Sequence, residues 1–181
     1  IYEGHSFKIT KELAPHLHSI CSITKKALGF TEDVEFFITN SSETNALAIP
    51  KFEEEDKHLI ILNSELIERF DDDELKFVIG HEIGHLISGN SEFERIIHFV
   101  FPDFNNTPLV FQNKISLWQK LSELEADRYG FIASPNLNKC ISNFFKLASG
   151  LNTKKFAFDP RAYLQEVDRL INKFNEEPLS A

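Results

Sequence analysis

His81-Glu82-Ile83-Gly84-His85 is the segment of this 181-residue chain whose residue types and spacing can do chemistry. Residues four apart lie above one another on a helix face, so both imidazoles can reach a single metal ion. Glu82 follows the first histidine, rotated about 100° around the helix axis, which sets its carboxylate beside an open metal position without making it a ligand. Two histidines holding zinc, with a glutamate that takes a proton from the attacking water, is the arrangement of a zinc hydrolase.

A metal held for hydrolysis takes three protein ligands and keeps one place for water. A third histidine six residues beyond His85 would extend the motif in the metzincin manner, but Ser91 stands there and Ser88 replaces that motif's glycine. The segment Ser122-Glu123-Leu124-Glu125-Ala126-Asp127-Arg128-Tyr129-Gly130 supplies a better candidate. Glu123 and Asp127 are one turn apart on an expected helix. Glu123 can coordinate while Asp127 accepts a hydrogen bond from the outer ring nitrogen of one histidine, fixing its tautomer. Glu125 is two residues off and is expected to face solvent. Glu92 and Glu94 follow the helix-ending Ser88-Gly89-Asn90, and their aim is not set by pattern.

These side chains must be carried by particular elements. Asp71 and Glu74 have the spacing of a capping box at the start of a helix over about 72–88. Leu75, Val78, Ile79, Ile83, Leu86 and Ile87 continue it at helical spacing. Gly80 and Gly84 form a small-residue stripe beside the histidines, read either as room for a second helix or as glycines tolerated by a well-packed one. Further helices are expected at about 10–28, 64–70, 114–132, 136–149 and 160–175. Strands are expected at Val34–Thr39, Ala46–Pro50 and His58–Asn63. Few strands ahead of many helices imply an α+β domain, with a small mixed sheet beside a largely helical bundle. Phe93, Phe99, Phe101, Phe104 and Phe111 lie in a stretch broken by Pro102 and Pro108. They read as core filling under a long loop, with an aromatic flap over the cleft or a partner-binding surface as the alternative.

The sequence resembles the HtpX-like gluzincin metallopeptidases, a family that includes CAAX prenyl proteases, Oma-type mitochondrial proteases and BepA-type periplasmic proteases. The likeness rests on Asn45-Ala46-Leu47-Ala48-Ile49-Pro50, the strand and short helix from His58 to Ile67, the helix from Asp72 to His85, Glu123 to Gly130, and Cys140 to Gly150. It is strongest over residues 34–150 and treats 1–181 as one catalytic domain of zincin-like fold. It implies a zinc endopeptidase with one Zn2+ per chain. His81, His85 and Glu123 would be the ligands, Glu82 the general base and Asp127 the supporting partner. Relatives carry a His-Pro pair before the last helix; here it reads Asp159-Pro160, followed by Arg161. Arg128, Tyr129, His98 and Arg161 are the candidates to replace that histidine at the transition state. Asn45 and Ala46 are expected to contact substrate, which would lie extended along the strand edge from Asn45 to Pro50. Two other readings stay open: a catalytically silent zinc domain that binds protein chains, and a regulatory peptidase that cuts a repressor.

A formal charge of −9 and the lack of a basic run argue against nucleic acid as a partner. No apolar stretch has the length of a membrane span. An apolar share of 42% suits a domain with a sizeable core. The compartment is left open, with the cytoplasm narrowly ahead of the periplasm or a membrane tether. Cys21 and Cys140 both fall in apolar helical patterns and read as separate buried thiols. Asn40-Ser41-Ser42 and Asn105-Asn106-Thr107 match the glycosylation sequon, relevant only on a eukaryotic secretory route.

Overall fold

The computed structural model describes residues 6–151 and 158–176. The chain falls into two compact units, Ile1–Asn136 and Leu137–Ala181. The first holds β1 (Ser6–Lys8), α1 (Pro15–Ala27), β2 (Val34–Thr39), β3 (Ala46–Ile49), β4 (His58–Asn63), α2 (Ser64–Arg69), α3 (Asp72–Ile87), α4 (Asn90–Val100), a 3-10 turn (Phe104–Asn106) and α5 (Leu109–Ala133). The second holds α6 (Leu137–Ser149) and α7 (Pro160–Glu176), with Phe145, Phe158 and Tyr163 forming an aromatic cluster. The α+β expectation holds, and the sheet is mixed.

Strand order is β1-β2-β4-β3, with β2 and β4 parallel and the outer pairs antiparallel. β4 lies between two neighbours and is apolar from Leu59 to Leu62; Ile60, Ile61 and Leu62 are all buried. β3 is an edge strand, as a substrate-binding strand must be. In its pairing with β4, Asn45 accepts from the Asn63 N–H at 3.1 Å. The alternation of an antiparallel ladder then points the main-chain groups of Ala46 and Ala48 to the free edge.

α3 runs beneath this sheet and through the core. The capping box forms: Asp71 Oδ1 accepts from the Glu74 N–H at 3.1 Å, and Glu74 Oε2 accepts from the Asp71 N–H at 2.9 Å. Gly89, with φ of 68°, ends the helix in the left-handed conformation that glycine adopts without strain. The two glycines inside α3 are explained by α5. A Cβ on Gly80 would stand 2.6 Å from the Ala133 Cβ and 3.2 Å from the Gly130 Cα. One on Gly84 would stand 2.8 Å from the Tyr129 Cβ. The stripe is therefore room for α5, and the close approach decides between the two readings. Gly80→Ala separates them by sign. Helix propensity alone would stabilise the protein by about 1 kcal/mol. The contact with Ala133 is expected to reverse this to a net loss of about 1–3 kcal/mol, read by denaturant unfolding.

Several expectations are corrected. α1 begins at Pro15, not Thr10, because the ring suits the first helical turn while 10–14 form a turn. α5 begins at Leu109, directly after Pro108, rather than at 114. β1, three residues long, had no readable pattern. The stretch after Asn90 is mostly helix, and its phenylalanines are not core: Phe99 is 87% exposed, and Phe93, Phe104 and Phe111 are exposed too. α4 buries Asn90 and Ile97, so the remaining apolar residues face outward. Cys21 and Cys140 are buried in α1 and α6 as expected, and burial pushes the Cys21 thiol up to about 12.

Candidate active site and metal centre

α3 and α5 run antiparallel, which places Asp127 at the level of His81 and Ser122 at the level of His85. His81 Nε2 and His85 Nε2 face one another at 3.1 Å. Glu123 Oε2 stands 3.4 Å from the first and Oε1 3.5 Å from the second. Two donors each at about 2.0–2.1 Å from one tetrahedral ion stand about 3.3–3.4 Å apart. The three side chains thus have the donor types and separations of a zinc site, and they form a candidate metal cluster. The histidines are mostly buried, while the Glu123 side chain is 63% exposed and leaves an open side.

The outer nitrogens are held. Asp127 Oδ1 lies 3.0 Å from His81 Nδ1, which leaves Nε2 as the inward atom. Ser122 Oγ stands 3.4 Å from His85 Nδ1, a partner the sequence reading missed. The signal was present: on antiparallel helices, a partner for His81 at 127 implies one for His85 about a turn earlier.

Burial disfavours a charged His81, but hydrogen bonds to Asp127 and Glu123 outweigh it and lift the imidazole to about 10. Burial and the neighbouring His81 charge lower His85, and the His81 hydrogen bond lowers Glu123. A metal must displace the His81 proton at any pH below about 10. Apparent zinc affinity is therefore expected to rise with pH, by about tenfold per unit through the neutral range, measured against a competing chelator. Asp127→Ala is expected to weaken zinc about 10–100-fold with the fold retained, by the same titration.

Glu82 is buried between α3 and β3. Burial raises its carboxyl to about 7, Glu123 and Glu94 push in the same direction, and His81 and the Ala48 backbone N–H pull it down. The site opens into a cleft of about 380 Å³ walled by Asn45 and β3 (Ala46 to Ala48), α4 (Ser91, Glu94) and α5 (Trp118, Gln119).

Asn45 and Ala46 line this cleft as expected. Three other candidates do not. His98 is exposed on α4 with Glu94 at 3.9 Å, Tyr129 packs over Gly84, and Arg128 lies on a separate surface with Glu125 and Ile132. Arg161 belongs to the second unit, in the first turn of α7, with its N–H donated to Asp159 Oδ1 at 2.9 Å. Glu125 stands outside the His81–His85–Glu123 cluster and accepts from Asn90 Nδ2 at 3.2 Å. The sequence reading also missed Trp118 and Gln119, though they lie one turn before Ser122 and Glu123 on the same helix face.

An HExxH helix, a glutamate helix packed antiparallel against it and an edge strand beside the cleft define a metallopeptidase domain. The profile of Peptidase family M48 matches residues 11–174, and the chain belongs to that family. A protease HtpX homolog of Bacillus licheniformis is 29% identical over 93 residues, 51% of this chain. The chain spans 29% of the length of that relative.

Proposed function

We propose that this chain is a catalytic domain of a zinc-dependent endopeptidase, holding one Zn2+ through His81, His85 and Glu123. The observation that carries the reading is the convergence of those three donors beside a buried Glu82 carboxylate. When bound, zinc polarises the scissile carbonyl and lowers the pKa of water at its open position. Glu82 takes the proton from the attacking water and delivers it to the leaving amine, a task suited to a carboxyl raised towards neutrality by burial. Asp127 and Ser122 hold the imidazoles with Nε2 inward. Substrate lies extended along β3, taking main-chain hydrogen bonds from Ala46 at the free edge. Such binding is tolerant of sequence, so access and a few wall residues set preference. Protein or peptide is the substrate class, and the acidic charge speaks against nucleic acid. Among the described residues no helix is long and apolar enough to cross a membrane.

The reading is tested by zinc content and by cleavage of an unstructured protein such as casein, before and after chelation. Zinc-dependent cleavage supports it. A second reading, a silent zinc domain that binds chains, is favoured by Asp159 in place of the relatives' histidine and by the absence of His98, Arg128 and Tyr129 from the cleft wall. Stoichiometric zinc with no cleavage of any chain would select it.

A further inference from the structure

The wall of the cleft opposite β3 is built by two helices and carries chemistry that the hydrolytic step does not use. Ser91 and Glu94, one turn apart, face the cleft from α4; Trp118 and Gln119 face it from α5. The Trp118 indole meets the Phe93 ring in a T-shaped contact, with centroids at 4.8 Å and planes at 76°. α4 is also tied to the loop after β3, where the Arg95 guanidinium lies over the Phe52 ring at 4.6 Å. Arg95 is thus engaged away from Glu94. Glu94 has His98 Nε2 at 3.9 Å, beyond hydrogen-bond reach, and its side chain is 53% exposed. No lysine or arginine lines the cleft among the described residues. Zinc would neutralise Glu123, and the reaction uses Glu82, so Glu94 is the acid left for substrate.

We propose that Glu94 and Trp118 form a subsite that selects a basic side chain, lysine or arginine, within about two residues of the scissile bond. This rests on the peptidase reading and names its specificity. The spacing follows from element geometry. Trp118 and Gln119 precede Glu123 by about one turn, some 6–7 Å along α5. Two residues of extended chain along β3 span about the same distance. A long cationic side chain leaving the peptide there lays its methylenes on the indole and sets its charge between the ring and the Glu94 carboxylate. A carboxylate side chain at that place would meet the like charge of Glu94.

The test uses Trp118 as its own probe, since it is the one tryptophan in the chain. Zinc-loaded Glu82→Gln protein is titrated with blocked Ala/Ser octapeptides carrying one lysine, norleucine or glutamate walked across the central positions. Trp118 emission is the readout. At one position lysine is expected to bind about five- to tenfold tighter than norleucine, and glutamate weaker, with the gap shrinking in 0.5 M salt. Glu94→Gln in that background closes the lysine–norleucine gap, and Glu94→Lys inverts the order towards glutamate. Equal binding of the three peptides, no binding at all, or a lysine preference that survives Glu94→Gln overturns the proposal. Ratios of kcat/KM for the same peptides on the protein with Glu82 intact separate the two readings. Charge-selective binding without cleavage sinks the peptidase and keeps the subsite; cleavage indifferent to charge does the reverse.

Discussion

Glu82→Gln is expected to keep its zinc and to lose peptide hydrolysis by about a thousandfold, within the range usual for removal of a general acid–base group. The amide nearly matches the carboxylate in size and can still pair with its surroundings in the buried site between α3 and β3. It cannot hold the proton of the attacking water. The charge change also removes a repulsion from Glu123, so zinc content is expected to be unharmed. Single-turnover cleavage together with elemental analysis decides the matter. Retained cleavage would remove Glu82 from the proton transfer, while loss of zinc would make its role structural.

Glu123→Ala is expected to leave the protein folded and nearly free of zinc under conditions where the parent protein is fully loaded. Its side chain is largely exposed, and α5 is held against α3 by the close contacts at Gly80, Gly84 and Gly130, so unfolding free energy should change by less than about 0.5 kcal/mol. Two imidazoles without the carboxylate make a weak site. The loss of affinity should exceed the roughly 10–100-fold expected of Asp127→Ala, which removes only a hydrogen bond to His81. Competition with a chelator ranks the two variants. Equal losses would mean that Glu123 supports the site from outside rather than ligating.

The elements carrying the chemistry were legible because each advertises itself locally. The Asp71–Glu74 capping box, the apolar periodicity of α3 and the stop at Gly89 are short-range signals, and all appear in the structure. The ends of β2 and β4 were legible too, because β2 is rich in β-branched and aromatic residues and β4 centres on the apolar run Leu59-Ile60-Ile61-Leu62. α4 was not. Its sequence, Asn-Ser-Glu-Phe-Glu-Arg-Ile-Ile-His-Phe-Val, follows a helix stop immediately and carries apolar residues on more than one face. Its outward-facing aromatics could be told from core only by packing.

By itself the sequence determined the candidate ligand types, their four-residue spacing, the adjacent carboxylate and the candidate third donor with the aspartate one turn on, because helical periodicity converts spacing into a shared face. Tertiary structure decided what depends on contacts between distant segments. It set α5 close enough to α3 for Glu123 to meet both histidines, through glycines whose purpose is visible only beside Ala133 and Tyr129. It removed His98, Arg128 and Tyr129 from the cleft and brought in Ser122, Glu94 and Trp118. Local pattern states which way a side chain leaves its helix; only the docking of helix on helix states what it meets.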